Sequence, residues 1–478
     1  MASLWNLTAL LALFLLKTAA FNDSKIDNSI RKNAYATMMY VGTPRDYEFY
    51  IAIRVLIRSL SNLNVNADIV VIASSDVPRQ WIRSLEEEDG AKVTQVRNLN
   101  NPYVSQKNFN RRFELTMNKI YAWNLVEYDR VVMLDADNLF LRNTDELFQC
   151  GHFCAVFINP CIFHTGLFVL KPSKEVFNDM VGKLNNKMEN EDGADQGFIG
   201  NLHSNLLDSP MFYEPRNGSK LEGHFRLPLG YQMDATYYYL RLKWNVPCGP
   251  NSVITYPGAV WLKPWYWWSW PILPLGLQWH DNRMKTLGYK TELPLALLLL
   301  LLYTAIAALT HLARPNIFKF YLRRTESATL PLNFALKFCT LMSIISAYVL
   351  PFFLIPCTIH PLLGWPLYLL GTFALCSIVI SVFMVPMVAV LSTWLGIVGG
   401  LFVMASPWYS QGVIRALAIF AYAVCCSPFV WCSLVKIMWS VQMSLERDDE
   451  FVMLGEMSSG SPGSNKPCWR RKNINISK

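Results

Sequence analysis

Two regimes of apolar patterning divide the chain. Up to about residue 285, apolar residues come in short runs broken by polar and turn residues. From about 293 to 440 they come in long, nearly unbroken stretches. The first regime suits an α/β domain, where short buried strands alternate with amphipathic helices. Residues 34–41 read as a strand, 42–46 as a turn, and 50–60 carry apolar positions at helical spacing. Residues 69–73 and 91–96 read as further strands, 112–125 as a helix, and Val131–Leu134 as a strand buried on both faces. Residues 164–172 read as a loop running into a strand. In the second regime, residues 293–313, 334–356, 365–385, 386–405 and 413–438 are each long enough to cross a bilayer, which predicts about five membrane helices.

Composition sharpens this division. Hydrophobic residues make up 52% of the 478 positions and charged residues only 16%, too apolar for an ordinary soluble protein. The net charge of +8 is spread out, with no basic block interleaved with aromatics, so no nucleic-acid partner is expected. Residues 4–16 form a short apolar run followed by Thr18, Ala19 and Ala20. Residues 1–20 therefore read as a cleaved secretory signal, with an uncleaved anchor as the alternative. Arg314, Lys319, Arg323 and Arg324 cluster after the first apolar span. Basic loops stay cytoplasmic, so the preceding domain is expected in the lumen. The tail 441–478 is expected in the cytoplasm and disordered, with a Ser/Gly/Pro-rich stretch and the basic Arg470–Lys472.

Candidate chemistry gathers where Val131–Leu134 ends. Asp135 and Asp137 follow one residue apart. In an open α/β sheet, ligands bind outside the carboxyl ends of the strands. Side chains at i and i+2 of an extended segment share a side. A pair of hard oxygen donors suits a divalent metal that leaves room for phosphate oxygens. Read alone, the pair is an acidic turn. Asp195 and Gln196 lie between Gly193 and Gly197, where backbone can approach a ligand closely; the alternative is a helix entry capped by Asp195. Cys150, Cys154, Cys161 and Cys248 are open to three readings: disulfides, a zinc site with His152 or His164, or plain buried thiols. Residues 254–279 hold Trp261, Trp265, Tyr266, Trp267, Trp268, Trp270 and Trp279. They read as a segment resting on the bilayer, or as a sugar-binding platform.

Taken in order, a lysine-bearing helix, Asp135-Ala-Asp137 after a strand, Thr165-Gly166, Asp195-Gln196-Gly197 and Lys263-Pro-Trp265 resemble glycosyltransferase family 8. These are the glycogenin-like retaining transferases with a GT-A fold. The resemblance covers about residues 33–285, and the membrane bundle behind it resembles the plant glycogenin-like glucuronosyltransferases. It implies a GT-A domain over 21–285, α/β with a mixed sheet and helices on both faces. An all-α transmembrane bundle over 286–440 follows. It also implies transfer from a UDP-sugar to a membrane glycolipid or a polysaccharide, in the Golgi or ER membrane. By the same resemblance Asp135 and Asp137 hold manganese on the diphosphate. Lys119, Arg112, Thr165 and Gly166 face the donor, Lys263 reaches the diphosphate, and Asp195 and Gln196 stand beside the reacting carbon. One departure is visible. The family places a histidine as third metal ligand where this chain has Thr255, a poor replacement for a neutral imidazole.

Overall fold

The structure is a computed structural model. It describes residues 32–241 without 108 and 160, then 251–256, 258–269, 274–325, 330–383 and 387–404, with a few positions between 417 and 435. The signal-like 1–20, Cys248, Trp270 and the tail 441–478 lie outside the described residues. The chain forms two compact units. One is Met1–Leu297 together with Ile355–Pro366, the other Leu298–Leu354 together with Leu367–Lys478.

The first unit is built on a seven-stranded sheet in the order β3-β2-β1-β4-β7-β6-β8. Its strands are β1 (Ala34–Met39), β2 (Asp68–Ser74), β3 (Lys92–Val96), β4 (Val131–Leu134), β6 (Phe153–Asn159), β7 (Ile162–Leu170) and β8 (His224–Leu227). Strands β1 to β4 run parallel, and β7 joins β4 antiparallel in the register Leu134↔Leu167. A second sheet, β5 (Asn138–Phe140), β10 (Val253–Thr255) and β9 (Met233–Asp234), leans on the C-terminal end of β4.

Apolar residues at every position, rather than alternate ones, bury the sheet on both sides. Val131, Met133 and Phe168 pack on one face with Ile120, Trp123, Met180, Phe198 and Ile199. Val132, Leu134, Leu167 and Val169 pack on the other with Leu56 and Leu60. The covering helices are α1 (Asp46–Ser61) on the second face, and α3 (Lys174–Asn185) with α4 (Asp195–Leu202) on the first. A short α2 (Arg79–Arg83) precedes β3, and α5 (Ala235–Arg241) and α6 (Pro274–Met284) complete the set.

Three expectations change. The helix over 112–125 is a pair of 3-10 turns, Arg111–Phe113 and Thr116–Asn124. Polar side chains draw on nearby backbone there: Thr116 Oγ1 donates to Phe113 O at 3.0 Å, and Leu99 N donates to Asn118 Oδ1 at 2.9 Å. Such bonds compete with regular α-helical geometry. His164-Thr165-Gly166 lies within β7 rather than in a loop, because β6 pairs with it along this stretch, Val156 opposite His164. The tryptophans do not rest on a bilayer as a group. Trp265, Trp267 and Trp279 are 1%, 0% and 0% exposed, and only Trp261 stands out at 65%. Trp267 N donates to Cys357 O at 3.1 Å, and the ring packs on Gly364 and Trp365. A segment far downstream in sequence covers them, and the local pattern carries no sign of it.

Among the four cysteines, Cys150 and Cys154 form a disulfide and Cys161 is free and exposed. Among the described residues no group of three or more His, Cys, Asp or Glu side chains is placed to hold a metal ion, which removes the zinc reading there. Four helices follow, α7 (Leu293–Thr325), α8 (Leu330–Leu354), α9 (Pro361–Phe383) and α10 (Met387–Met404), with the starts of α7 and α9 in the first unit and the rest in the second. Among the described residues three apolar stretches are long enough to cross a membrane: Leu293–Ala313, Lys337–Leu354 and Pro361–Phe383. Val390–Met404 and Leu417–Pro428 are shorter apolar helices. They stand where a fourth and fifth span were expected, and neighbouring positions lie outside the described residues.

Phe168 is fully buried against Trp123 and Phe153, both at 5.5 Å between ring centroids. Phe168→Ala is expected to destabilise the first unit by about 3–5 kcal/mol, readable as a lower unfolding temperature in detergent.

Candidate active site

Strand β4 ends at Leu134 and delivers Asp135 to the crevice beside β7. Two further contacts fix that corner. Asp135 N donates to Gly166 O at 2.9 Å, and Asn138 Nδ2 donates to the same carbonyl at 2.7 Å. Gly166 must lack a side chain, because a Cβ there would fall 2.5 Å from Gln232 Nε2.

Behind the corner lies one buried ammonium. Lys119 Nζ donates to Asp195 Oδ2 at 2.5 Å, to Asp135 Oδ1 at 2.8 Å and to Thr165 O at 3.0 Å. Its three hydrogens are all used, and the residue is 1% exposed. Thr165 Oγ1 lies 2.9 Å from Asp195 Oδ2, and Thr165 N donates to Gln196 Oε1 at 2.9 Å. Gln196 Nε2 in turn donates to Phe163 O at 2.5 Å. The 3-10 turn bearing Lys119, the strand bearing Thr165 and the helix start at Asp195 thus meet through charge and hydrogen bonds. Asp195 is the first residue of α4, with Ala194 at the cap position, so it is free of the capping role.

Burial opposes the Lys119 charge, but Asp135 and Asp195 outweigh it and hold the lysine above its ordinary pKa. Burial also disfavours the Asp195 carboxylate, yet the Lys119 charge and hydrogen bond bring it below the usual range. Asp135 goes the other way: burial, helped by the nearby charges of Asp137 and Asp195, raises it despite Lys119. The difference places the settled negative charge on Asp195 and leaves Asp135 in need of more positive charge.

A second node lies alongside. Lys263 Nζ donates to Asp137 Oδ2 at 2.6 Å and to Tyr256 O at 2.7 Å. This lysine keeps one hydrogen unassigned to these partners and is partly accessible, at 16% of its side chain. Arg112 is exposed on its 3-10 turn and lies over the Phe113 ring at 4.4 Å. Sequence reading passed over three neighbours. Asn138 braces Gly166, and Gln232 Nε2 lies 2.8 Å from His164 Nδ1 above it. Tyr40 follows β1; burial, with the charges of Asp195 and Asp135, raises its hydroxyl pKa. No motif marks Gln232 or Tyr40: Tyr40 reaches the site because β1 pairs with β4, and Gln232 because it precedes β9, which pairs with β10.

The donor set can be tested for a divalent metal from the polar atoms themselves. Asp137 Oδ1 and Thr255 Oγ1 are buried with no hydrogen-bond partner. Thr255 pairs with Asn138 across β5 and β10, and Tyr256 N donates to Asp137 O at 3.1 Å. The backbone of Thr255 therefore runs beside that of Asp137 and Asn138. Orphaned hard oxygens beside a carboxylate fit a hard cation. His280, the downstream histidine, is fully buried with Nδ1 2.6 Å from Tyr289 OH.

Several known proteins are similar to this chain. A family model described as "PGSIP7 C-terminal domain" matches residues 291–451, and one described as "Mannosyltransferase putative" matches residues 38–155. "Putative glucuronosyltransferase PGSIP8" of Arabidopsis thaliana is 62% identical over 89% of this chain and 86% of its own length. "Putative glucuronosyltransferase PGSIP7" of the same plant is 58% identical over 93% and 95%. "Inositol phosphorylceramide glucuronosyltransferase 1", also from that plant, is 31% identical over 53% of this chain and 46% of its own. Among solved structures, that of the galactosyltransferase LgtC aligns at 12% identity and a TM-score of 0.37, covering 53% of this chain and 96% of that one. That superposition is too loose to carry residue roles.

Replacing the buried ammonium has a signed consequence. In the native chain, Asp195 with its lowered pKa contributes stability above the ordinary carboxylate range and loses it as pH falls through its folded value. Lys119→Met leaves the buried Asp195 and the half-buried Asp135 uncompensated, at a cost of about 3–5 kcal/mol near neutral pH. Those carboxylates then take up protons on folding, so the deficit shrinks as pH falls towards 5. Unfolding temperatures of both proteins between pH 5 and 8 check this.

Proposed function

Since the chain belongs to the family of the putative glucuronosyltransferases PGSIP7 and PGSIP8, we propose that it is a retaining, metal-dependent transferase of the glycogenin-like, GT-A kind. It moves glucuronate from UDP-glucuronate to a membrane lipid of the inositol phosphorylceramide kind. The observation that carries the reading is the pairing of Asp135 with Lys119 and Asp137 with Lys263 at one strand end. Breaking a sugar–diphosphate bond leaves negative charge on the departing oxygen, and fixed cations next to it lower that barrier. A divalent metal such as Mn2+, held by Asp135 and Asp137, supplies further positive charge to the diphosphate.

The rest falls to the chain's own residues. The glycosyl transition state is oxocarbenium-like, and the Asp195 carboxylate, kept ionised by Lys119, favours positive charge at the reacting carbon. Gln196 is tied at both ends of its amide to β7, which suits a positioning role. Neither group stands free as a nucleophile, so departure and attack occur on one face. The C1–O bond to the diphosphate breaks, and the acceptor oxygen bonds to C1. The acceptor proton passes to the leaving phosphate oxygen. Arg111 and Arg112, both exposed ahead of Lys119, are the cations offered to a donor carboxylate.

The lipid acceptor is supported by the relative named for inositol phosphorylceramide and by the short path from Lys263 to the first apolar span at Leu293. Exposed Trp261, two residues before Lys263, offers a ring face to a sugar or inositol headgroup. One observation favours a second reading, a donor-binding subunit without turnover: Thr255 in place of a third metal ligand. Purified protein with Mn2+, a panel of UDP-sugars, and plant lipid extract and xylan as competing acceptors separates them. Labelled glucuronate appearing in a sphingolipid supports the first reading. Label found only in xylan, or no hydrolysis of any donor, removes it.

Three outcomes follow from this reading. Asp137→Asn abolishes turnover while the protein keeps its fold, and full activity in that variant or in excess chelator refutes metal dependence. Thr255→His adds a nitrogen ligand and tightens Mn2+ binding about tenfold, measured by titration calorimetry without substrate. A lumenal first unit makes exposed Asn217, in an Asn-Gly-Ser sequence with Ser219 N donating to its side chain, a glycan acceptor. Glycosidase treatment of protein from Golgi membranes should then lower its apparent mass.

A further inference from the structure

Lys263 lies on a tight turn with several braces of its own. Tyr266 N donates to Lys263 O at 3.3 Å, Trp268 Nε1 to Trp261 O at 3.0 Å, and Ser269 Oγ to Leu262 O at 2.7 Å. The turn has two supports from outside. Tyr266 OH donates to Glu48 Oε2 on α1 at 2.5 Å. Trp267 is held by Ile355–Pro366, the segment that rejoins the first unit after two membrane-length helices. Its N–H donates to Cys357 O at 3.1 Å, and its indole meets Trp365 edge-on at 5.1 Å between centroids. Gly364 lies so close beneath that a Cβ there would fall 2.6 Å from Cγ of Trp267.

The same segment has a polar lock. Arg283 on α6 is fully buried and donates to Thr358 O and to Glu292. Thr358 Oγ1 donates to Glu292 Oε1 at 2.8 Å. Burial opposes the Glu292 charge, but Arg283 outweighs it and keeps the carboxylate below its usual range. An apolar contact alone can slide; a buried ion pair that also binds a carbonyl and a hydroxyl permits one placement.

We propose that Ile355–Pro366 is a positioning element of the active site. It sets Lys263 against Asp137 by holding Trp267, and so sets the affinity for a nucleoside diphosphate. The inference rests on the reading that Lys263 meets the donor's diphosphate. It also means that a fragment ending before the first membrane helix lacks part of its own active-site support.

The test is a double-mutant cycle on the full chain in detergent, with UDP affinity in the presence of Mn2+ measured by titration calorimetry. The variants are Lys263→Ala, Gly364→Ala, Thr358→Val and the two doubles with Lys263→Ala. Gly364→Ala is expected to weaken UDP binding about tenfold, Thr358→Val about threefold, and neither is expected to weaken it further once Lys263 is gone. Losses that add on the Lys263→Ala background, or unchanged UDP affinity in both single variants, overturn the proposal while the donor reading stands. Thr358→Val decides alone if Gly364→Ala does not fold. UDP affinity unchanged in Lys263→Ala itself refutes the donor reading, and the proposal falls with it.

Discussion

A single buried ammonium holds the catalytic corner together. Lys119 has no water to solvate it, so its charge is tolerable only while Asp135, Asp195 and Thr165 O surround it. Each partner comes from a different element: the end of β4, the start of α4 and the interior of β7. The ion triad therefore fixes three pieces of backbone at once. The consequence reaches the chemistry, because the lysine settles charge on Asp195 and leaves Asp135 short of it. On the proposed reading, Asp135 faces a bound cation and the Asp195 carboxylate steadies positive charge at the reacting carbon.

Lys263 works under a different regime. It is partly accessible and bonded to Asp137 and a carbonyl, so it can turn towards a ligand at little cost. What limits it is the turn it rides on. That turn is packed from below by tryptophans, and these are packed in turn by the returning segment Ile355–Pro366. The domain that carries the site is therefore discontinuous in sequence, and it encloses the point where the chain passes into its apolar helices. This gives the fully buried Trp265, Trp267 and Trp279 a role in core packing.

Thr255 is the position where family likeness and local chemistry diverge. Its strand pairing sets it opposite Asn138, at the position where the resemblance expects a third metal ligand. On the proposed reading, a neutral hydroxyl at Thr255 would hold manganese less firmly than an imidazole in the same place. A looser metal asks more of the fixed lysines, and two of them already contact the aspartates here.

By itself the sequence determined the α/β regime, the strands β1 to β4, the apolar helices after residue 293, and the motif residues Asp135, Asp137, Thr165, Gly166, Asp195, Gln196, Lys119 and Lys263. These are legible because burial on two faces, helix length and motif order are properties of neighbouring residues. The tertiary structure decided the rest. The 3-10 form of 116–124 depends on Asn98 and Leu99 across a loop. The presence of Gln232 above Gly166 and Tyr40 near Asp135 depends on which strands pair. The fate of the tryptophans depends on residues 355–366. In each case the deciding partner is distant in sequence, and a composition or periodicity of neighbours holds no information about a contact made between segments that only the folded chain brings together.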